Sequence, residues 1–369
     1  MKLLIAGGGT GGHVIPALTV AREFCRRQEG REVLFVGTAR GVEARRVPAA
    51  GFPLELLRVG ALQGQSSLAR LKTLAGLPKA IAQSISLLNQ FRPNVVLGVG
   101  GYASGPMMLA AALRGVPLAL YEPNAHPGLA NRWVARFARR AFVNFAEAEK
   151  SFGEAKTVQT GIPVRAEFFS IVPKPHRPPY TVLVFGGSQG ARSLNRAVVE
   201  ALPLLAHSPA LAQTPVRLLI QTGQSEYNRV VEAVKTFPGP APDCRHEVHA
   251  FMDRMWEAFA QADLVICRAG ATSVAELAAA GRAAVLVPYP AAANQHQLRN
   301  AEALEKLGAA RLLLDQDLSG ERLCKLLGEL LGDAQQSEKL GAIETAIRRE
   351  ARPNACGQIV DEIEKLSVH

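Results

Sequence analysis

The chain has 369 residues, of which 48% are hydrophobic and 20% charged, with a formal charge of +10. That length allows two ordinary domains and exceeds one typical core, and the composition excludes a disordered chain. The five cysteines, Cys25, Cys244, Cys267, Cys324 and Cys356, form no C-x-x-C pair, which argues against a disulfide framework or zinc ribbon and for a reducing compartment.

From the N-terminus, residues 2–6 form a short apolar run that meets Gly7-Gly8-Gly9-Thr10-Gly11-Gly12-His13. Glycine arrives too soon for a signal peptide, so the expected setting is the cytoplasm. A helix is predicted over residues 16–27, with Pro16 tolerated in a first turn whose amides have no intrahelical partner. Further strands are predicted at residues 33–36, 95–99, 118–121 and 141–143. Strands alternating with helical patterns specify βαβ units and a parallel sheet. The longest apolar candidate for a membrane span, residues 106–113, is far short of the roughly 18–20 residues required.

Residues 161–180 contain Pro163, Pro173, Pro175, Pro178 and Pro179 and read as a linker. A second strand-and-glycine unit follows, with residues 181–185 running into Gly186-Gly187-Ser188-Gln189-Gly190 and a helix from Ala191. Later strands are predicted at residues 217–220, 264–267, 284–287 and 311–314, and a closing amphipathic helix at residues 353–366. The chain therefore divides into an α/β domain at 1–162, a linker at 163–180 and a second α/β domain at 181–350. The tail at 351–369 is expected to pack back towards the first domain.

Consecutive glycines let backbone amides approach an anion, and the following helix adds its positive end. The first loop satisfies G-x-G-x-x-G. That dinucleotide pattern also needs an acid near the end of the second strand, and here the strand ends Val36-Gly37-Thr38. No Gly-Lys-Ser/Thr sequence closes the loop, so it is not a Walker loop. His13, at the loop-to-helix junction, has a side chain suited to accepting a proton near neutrality; it serves equally well as a partner for backbone or phosphate. The Gly186 loop fits a diphosphate, and the loop at residues 98–105 fits a second anion. Glu276 lies one turn into the helix that follows Arg268-Ala269-Gly270. It is placed either to accept from ribose hydroxyls or simply to favour the helix start. Asn294-Gln295-His296-Gln297 offers amides that suit sugar hydroxyls.

Together these pieces resemble the MurG family of bacterial cell-wall glycosyltransferases. The resemblance rests on GGGTGGH with Pro16, GVGGYASGP at residues 98–106, EPN at 122–124 and GIPVR at 161–165. It continues through GGSQGARSLN at 186–195, RAGATSVAELAAAG at 268–281 and NQHQLRNA at 294–301, in family order. It implies a GT-B fold, in which two doubly wound parallel-sheet domains enclose a cleft. The implied activity is inverting transfer of N-acetylglucosamine from UDP-N-acetylglucosamine to the C4 hydroxyl of the muramyl sugar of lipid I. The product is lipid II, in peptidoglycan synthesis. The family's donor contacts carry over to Thr10, Gly11, Gly12, Asn124, Arg165, Ser188 and Met252. They continue at Ala271, Thr272, Ser273, Val274, Ala275, Glu276 and Gln297. Arg165 and Met252 would flank the uracil, Glu276 would hold the ribose, Ser188 the diphosphate and Gln297 the sugar. Relatives commonly carry histidine where this chain has Tyr121, and an acid where it has Asn294.

An inverting transfer needs a base for the acceptor hydroxyl. His13 is the expected base and Glu122 the alternative. No cofactor or tightly bound metal is expected; Asp315-Gln316-Asp317 has the letters of a D-x-D motif but comes late in the chain. The lipid-linked acceptor implies peripheral contact with the cytoplasmic face of the cell membrane. Residues 66–77, with Leu68, Leu71 and Leu74 beside Arg70 and Lys72, are one expected contact. Arg132, Arg136, Arg139 and Arg140, taken as helically spaced, are another. The charge brings no recognisable nucleic-acid module, so no nucleic-acid role is expected. The rival readings are a UDP-sugar 2-epimerase and a non-catalytic nucleotide-sugar-binding subunit.

Overall fold

Glycine directly after a short apolar run marks the carboxyl end of a strand in both halves of the chain. The computed structural model describes residues 1–39, 41–59, 67–124, 127–153, 156–187, 189–211, 214–242, 244–292, 295–332 and 336–367, with side chains except at 67–75, 129, 210 and 336–337. It forms two compact units, residues 1–164 with 352–369, and residues 165–351.

The strands of the first unit are β1 Lys2–Gly7, β2 Glu32–Gly37, β3 Leu54–Leu56, β4 Val95–Gly100, β5 Leu118–Glu122, β6 Arg140–Val143 and β7 Thr157–Gln159. They pair in parallel as a seven-stranded sheet, β3-β2-β1-β4-β5-β6-β7. The second unit has β8 Tyr180–Phe185, β9 Val216–Gln221, β10 Glu247–His249, β11 Leu264–Cys267, β12 Ala284–Leu286 and β13 Arg311–Leu312. These form a parallel six-stranded sheet, β10-β9-β8-β11-β12-β13.

Helices cover both faces of each sheet, so the central strands bury alternate residues in opposite cores. Leu3 and Ile5 of β1 face a core with Phe24 and Ile359. Leu4 and Ala6 face the other, with Met107 and Met108. Strand order reverses between β1 and β4, and again between β8 and β11. The glycine loops predicted to carry chemistry leave the carboxyl ends of these reversing strands, where open α/β sheets bind ligands.

The strands with continuous apolar runs lie within two residues of their predicted bounds. Three short strands, β3, β7 and β10, escape a reading of apolar runs because they lie at sheet edges and contain no fully buried residue. The first helix starts earlier than predicted, at Gly11, and runs to Arg27. Pro16 therefore falls in the second turn and leaves the Gly12 carbonyl without its helical amide. Within the proline-rich segment, a one-turn helix, Ala166–Phe169, buries Phe168 edge-on against Phe259, with ring centroids 5.1 Å apart.

The helix Ala355–Ser367 belongs to the first unit, where Ile359, Val360, Ile363 and Leu366 complete the core around Phe24. Arg27 pairs with Asp361 and Glu364 of this helix, and Arg31 reaches Glu364 at 2.8 Å. The expected helical arginine set is corrected here. Helix Leu129–Val134 ends before a 3-10 turn, Ala135–Phe137, and Arg140 opens β6 instead, paired with Glu362 at 2.8 Å. Ile359→Ala is expected to cost about 2–5 kcal/mol, measured by hydrogen exchange in urea, with protection lost in residues 1–164 and not in 165–351.

Candidate active site

In the first unit, the loops after β1 and β4 are in backbone contact. Gly8 N donates to Gly100 O at 3.0 Å, and a side chain at Gly101 would overlap the Gly8 backbone. Such an approach admits only glycine. Behind the loop lies Glu43, 1% exposed, from the helix Glu43–Ala49. Its Oε2 accepts from Gly9 N at 2.7 Å, and its Oε1 accepts from Thr38 N and Thr38 Oγ1, both at 2.9 Å. A Cβ at Gly8 or Gly41 would overlap this carboxylate, and one at Gly37 would overlap its Cγ. The acid missing from the end of β2 is thus supplied by the next helix, but it holds the glycine loop itself. The phosphate-cradle reading of this loop accordingly loses the Gly9 amide and gains a negative charge behind it.

His13 sits in the first turn of the helix Gly11–Arg27. Its Nδ1 lies 3.2 Å from Gly8 O and 3.3 Å from Thr10 Oγ1. A carbonyl only accepts, so Nδ1 carries the proton and the neutral ring keeps its lone pair on Nε2. Nε2 lies against Gly100, where an added Cβ would stand 3.1 Å away. Burial pulls the His13 pKa below its ordinary value, against the opposing pull of Glu122, the Gly8 carbonyl and Glu43. The ring is therefore neutral at pH 7 and fit to accept a proton.

Glu122, at the end of β5, is 2% exposed. Its Oε1 accepts from Asn124 N at 3.1 Å and Asn124 Nδ2 at 3.0 Å; its Oε2 accepts from Gly128 N and Asn131 Nδ2, both at 3.0 Å. Four donors occupy the carboxylate, which folds the turn carrying Asn124. Tyr121, where relatives commonly carry histidine, is buried in the core.

In the second unit, Ser188 lies outside the described residues. The rest of its loop is braced against the end of β9: a side chain at Gly190 would overlap Thr222 O, and one at Gly223 would overlap Gln189 O. Gln221, 2% exposed, bridges the Gly186 loop and the candidate donor contact Met252. Its Nε2 donates to Gly187 O at 3.1 Å, and its Oε1 accepts from Met252 N at 2.8 Å.

Arg165 and Glu276 meet directly, Nη2 to Oε1 at 3.2 Å. Arg165 Nη1 also donates to Asp253 O at 3.2 Å, beside Met252. The guanidinium stacks 4.7 Å from the Trp256 centroid and 5.1 Å from that of Phe168. Burial raises the Glu276 pKa and Arg165 pulls it back down. The helix Ala271–Ala280 opens beyond Gly270 with no side-chain cap; residues 271–275 are half-buried, and their first amides are the helix's positive end.

Arg268 ties the strand ends together. Nη1 donates to Val287 O and Pro288 O, both at 3.1 Å, and to Asp315 Oδ1 at 2.6 Å, while Nη2 reaches Ser193 Oγ at 2.7 Å. Asp315, whose sequence context has the letters of a metal motif, is engaged by a guanidinium and a hydroxyl. Tyr289 lies over Arg268, with 5.4 Å from guanidinium to ring centroid, and Tyr289 N donates to Gln297 Oε1 at 3.0 Å. Asn294 lies outside the described residues. Next to it, Gln295 holds a left-handed φ of 53° before the helix His296–Lys306, a conformation that costs a non-glycine residue energy and clusters at ligand sites.

The glycosyltransferase family 28 N-terminal domain matches residues 3–143, and the glycosyltransferase family 28 C-terminal domain matches residues 181–351. A Pelobacter propionicus protein named UDP-N-acetylglucosamine–N-acetylmuramyl-(pentapeptide) pyrophosphoryl-undecaprenol N-acetylglucosamine transferase is 43% identical, covering 98% of this chain and 99% of its own. The chain belongs to the MurG family. The crystal structure of Acinetobacter baumannii MurG agrees, with a TM-score of 0.74 at 30% identity over 99% of both chains. A putative UDP-N-acetylglucosamine 2-epimerase from Listeria monocytogenes has a TM-score of 0.67 at 15% identity over 99% of this chain and 96% of its own, a likeness of fold alone.

Of the residues carried over from MurG relatives, the first unit gathers Thr10, Gly11, Gly12, His13, Glu122 and Asn124 at the ends of β1 and β5. The second gathers Arg165, Met252 and Glu276 around one ion pair. Glu43, Gln221, Arg268 and Trp256 complete these sites, and motif reading assigned none of them a role. Breaking the Arg165–Glu276 pair leaves a buried carboxylate without its cation. Arg165→Ala is expected to lower the unfolding free energy by about 3 kcal/mol at pH 8. The loss shrinks at pH 5, where the orphaned carboxyl takes up a proton and stays neutral; urea titrations at the two pH values measure both.

Proposed function

We propose that this chain transfers N-acetylglucosamine from UDP-N-acetylglucosamine to the C4 hydroxyl of the N-acetylmuramyl sugar of pyrophosphoryl-undecaprenol-linked lipid I, giving lipid II with inversion at the anomeric carbon. Membership of the MurG family over nearly the whole chain supports this donor and acceptor. The observation that supports a catalytic role over a binding role is the 3.2 Å contact of His13 Nδ1 with the Gly8 carbonyl, from which we infer a proton on Nδ1 and a lone pair on Nε2.

As the acceptor hydroxyl attacks the anomeric carbon, its proton passes to His13 Nε2. The bond from that carbon to the diphosphate oxygen breaks, and UDP departs with the electron pair. A single displacement inverts the centre. Amides opening the helix Arg192–Ala206 offset the charge that develops on the leaving group. Glu122 fits the base role less well, since four donors already occupy its carboxylate. Arg165 and Met252 take the uracil, Glu276 the ribose, Ser188 the diphosphate and Gln297 the sugar; the amides of residues 271–275 and the contacts at Thr10, Gly11, Gly12 and Asn124 complete the donor set.

The assay is transfer of labelled N-acetylglucosamine from UDP to a short-chain lipid I analogue. A disaccharide lipid is expected; an isomeric UDP-sugar formed without acceptor would point to the epimerase instead. His13→Ala is expected to lower kcat by about 10²–10⁴-fold with little change in KM for UDP-N-acetylglucosamine. Near-normal turnover with an unchanged pH profile would remove His13 from the mechanism.

Among the described residues no helix is long and apolar enough to cross a membrane. We infer peripheral contact with the lipid surface on the cytoplasmic face. Residues 60–66 lie outside the described residues, as do the side chains of 67–75, and with them the expected leucine stripe. The turn at 129–137 offers Trp133, 60% exposed, and Phe137, with exposed Arg132 and Arg136 beside them. Aromatic rings flanked by arginines suit an anionic interface. Reversing the charge at Arg132 and Arg136 is expected to weaken sedimentation with anionic vesicles and leave binding to neutral vesicles unchanged.

A further inference from the structure

The buried Glu43 and the ring of His13 grip opposite sides of one peptide group. Glu43 Oε2 accepts from Gly9 N at 2.7 Å, and Gly8 O lies 3.2 Å from His13 Nδ1. The amide of Gly9 and the carbonyl of Gly8 are the two polar ends of a single planar unit. We propose that Glu43 is a positioning residue for His13, acting through the Gly8–Gly9 peptide to hold the imidazole in its Nδ1–H tautomer with the lone pair on Nε2.

The physical chain has three links. First, Glu43 is pinned: Thr38 N and Thr38 Oγ1 fix its other oxygen at 2.9 Å, and the α-carbons of Gly8, Gly37 and Gly41 leave no room for it to swing. Second, an anion on the N–H side polarises the peptide, so its carbonyl oxygen becomes a stronger acceptor, as hydrogen bonds in series reinforce one another. Third, that carbonyl faces a ring nitrogen and can only accept from it, which fixes the tautomer. In a Ser-His-Asp triad a carboxylate orients the imidazole directly; here a backbone amide stands between the two. No proton crosses the peptide, and as the ring gains a proton on Nε2 the negative end of the series stabilises the imidazolium.

The charged groups that reach the ring are Glu122, from the end of β5, and Glu43. Glu122 is tied to the turn at residues 124–131 by four donors. Glu43 alone bonds to the loop that carries the Nδ1 acceptor. Three donors face its carboxylate, so Glu43→Gln must turn its NH₂ towards a backbone N–H, at either Gly9 or Thr38, and one end of the grip is lost.

The catalytic consequence rests on His13 as the proton acceptor; the geometric claim does not. The test therefore has two readouts on the full chain. In histidine-¹⁵N spectra, with His13→Ala assigning the signal, the neutral wild-type ring is expected as Nδ1–H. Glu43→Gln should raise the Nε2–H population. It should also move the His13 titration down by about half a unit or more, because a negative charge that favours the imidazolium is gone. In turnover, kcat should fall about tenfold or more, with KM for UDP-N-acetylglucosamine within about twofold, since only an interaction specific to the transition state is lost. The acidic limb of the pH profile should move down with the titration. A folded Glu43→Gln protein with unchanged tautomer and titration would overturn the proposal. If Glu43→Gln does not fold, Glu43→Asp keeps the charge but withdraws it by one methylene; the tautomer ratio must then shift, and an unshifted ratio overturns the proposal equally. An active His13→Ala enzyme would instead defeat the functional reading and leave the tautomer result standing.

Discussion

Both units depend on backbone meeting backbone at the carboxyl ends of neighbouring parallel strands. Side chains would prevent it, which is why the loops are built from glycine. The partners differ between the units. In the first, the loop after β1 is joined to the loop after β4, across the reversal of strand order, by Gly8 N and Gly100 O. In the second, the loop after β8 leans the other way, onto the end of β9, through Gly190 and Gly223. Similar glycine runs thus produce different local surfaces. One is a closed ridge carrying His13, and the other leaves the ends of β8 and β11 to the helix Ala271–Ala280.

Charge is distributed to match. Behind the first ridge stand two buried carboxylates, Glu43 and Glu122, both satisfied by donors from nearby loops and from Asn131. Those charges disfavour a bound diphosphate and favour the imidazolium that forms when His13 takes up a proton, while burial keeps the resting ring neutral. The second unit places guanidinium groups at its site, with Arg165 over the rings of Phe168 and Trp256, and Arg268 bonded to the segments at Ser193, Val287 and Asp315. Guanidinium fits such positions because it is planar, permanently charged and weakly hydrated. The proposed proton acceptor therefore has buried carboxylates beside it, and the proposed donor contacts have guanidinium groups beside them.

Much of this was legible in the sequence, for identifiable reasons. Runs such as residues 2–6 and 264–267 are buried on both faces, so they read as strands without an alternating pattern. Residues with family-specific spacing, His13, Arg165, Glu276 and Gln297 among them, could be nominated from motifs, and the structure brings Arg165 and Glu276 together. The edge strand at residues 247–249 could not be found, because only its pairing with β9 makes it a strand. Glu43 and Gln221 escaped for a related reason. Their partners are backbone atoms of Gly9, Gly187 and Met252, and a backbone partner leaves no mark in the residue alphabet. Pro16 was placed a turn too early because glycines can begin a helix that propensity alone would not start there.

The helix Ala355–Ser367 has a bearing on how the molecule is made. It supplies Ile359 and Ile363 to a core whose other members lie in residues 1–164, yet it leaves the ribosome after all of residues 165–351. Domains generally mature in the order of synthesis. Here that order is inverted for the last step: the unit begun first is sealed after the unit begun second has its full sequence. During translation the apolar surface around Phe24 waits uncovered for its lid, which makes the nascent first unit the natural client for a chaperone.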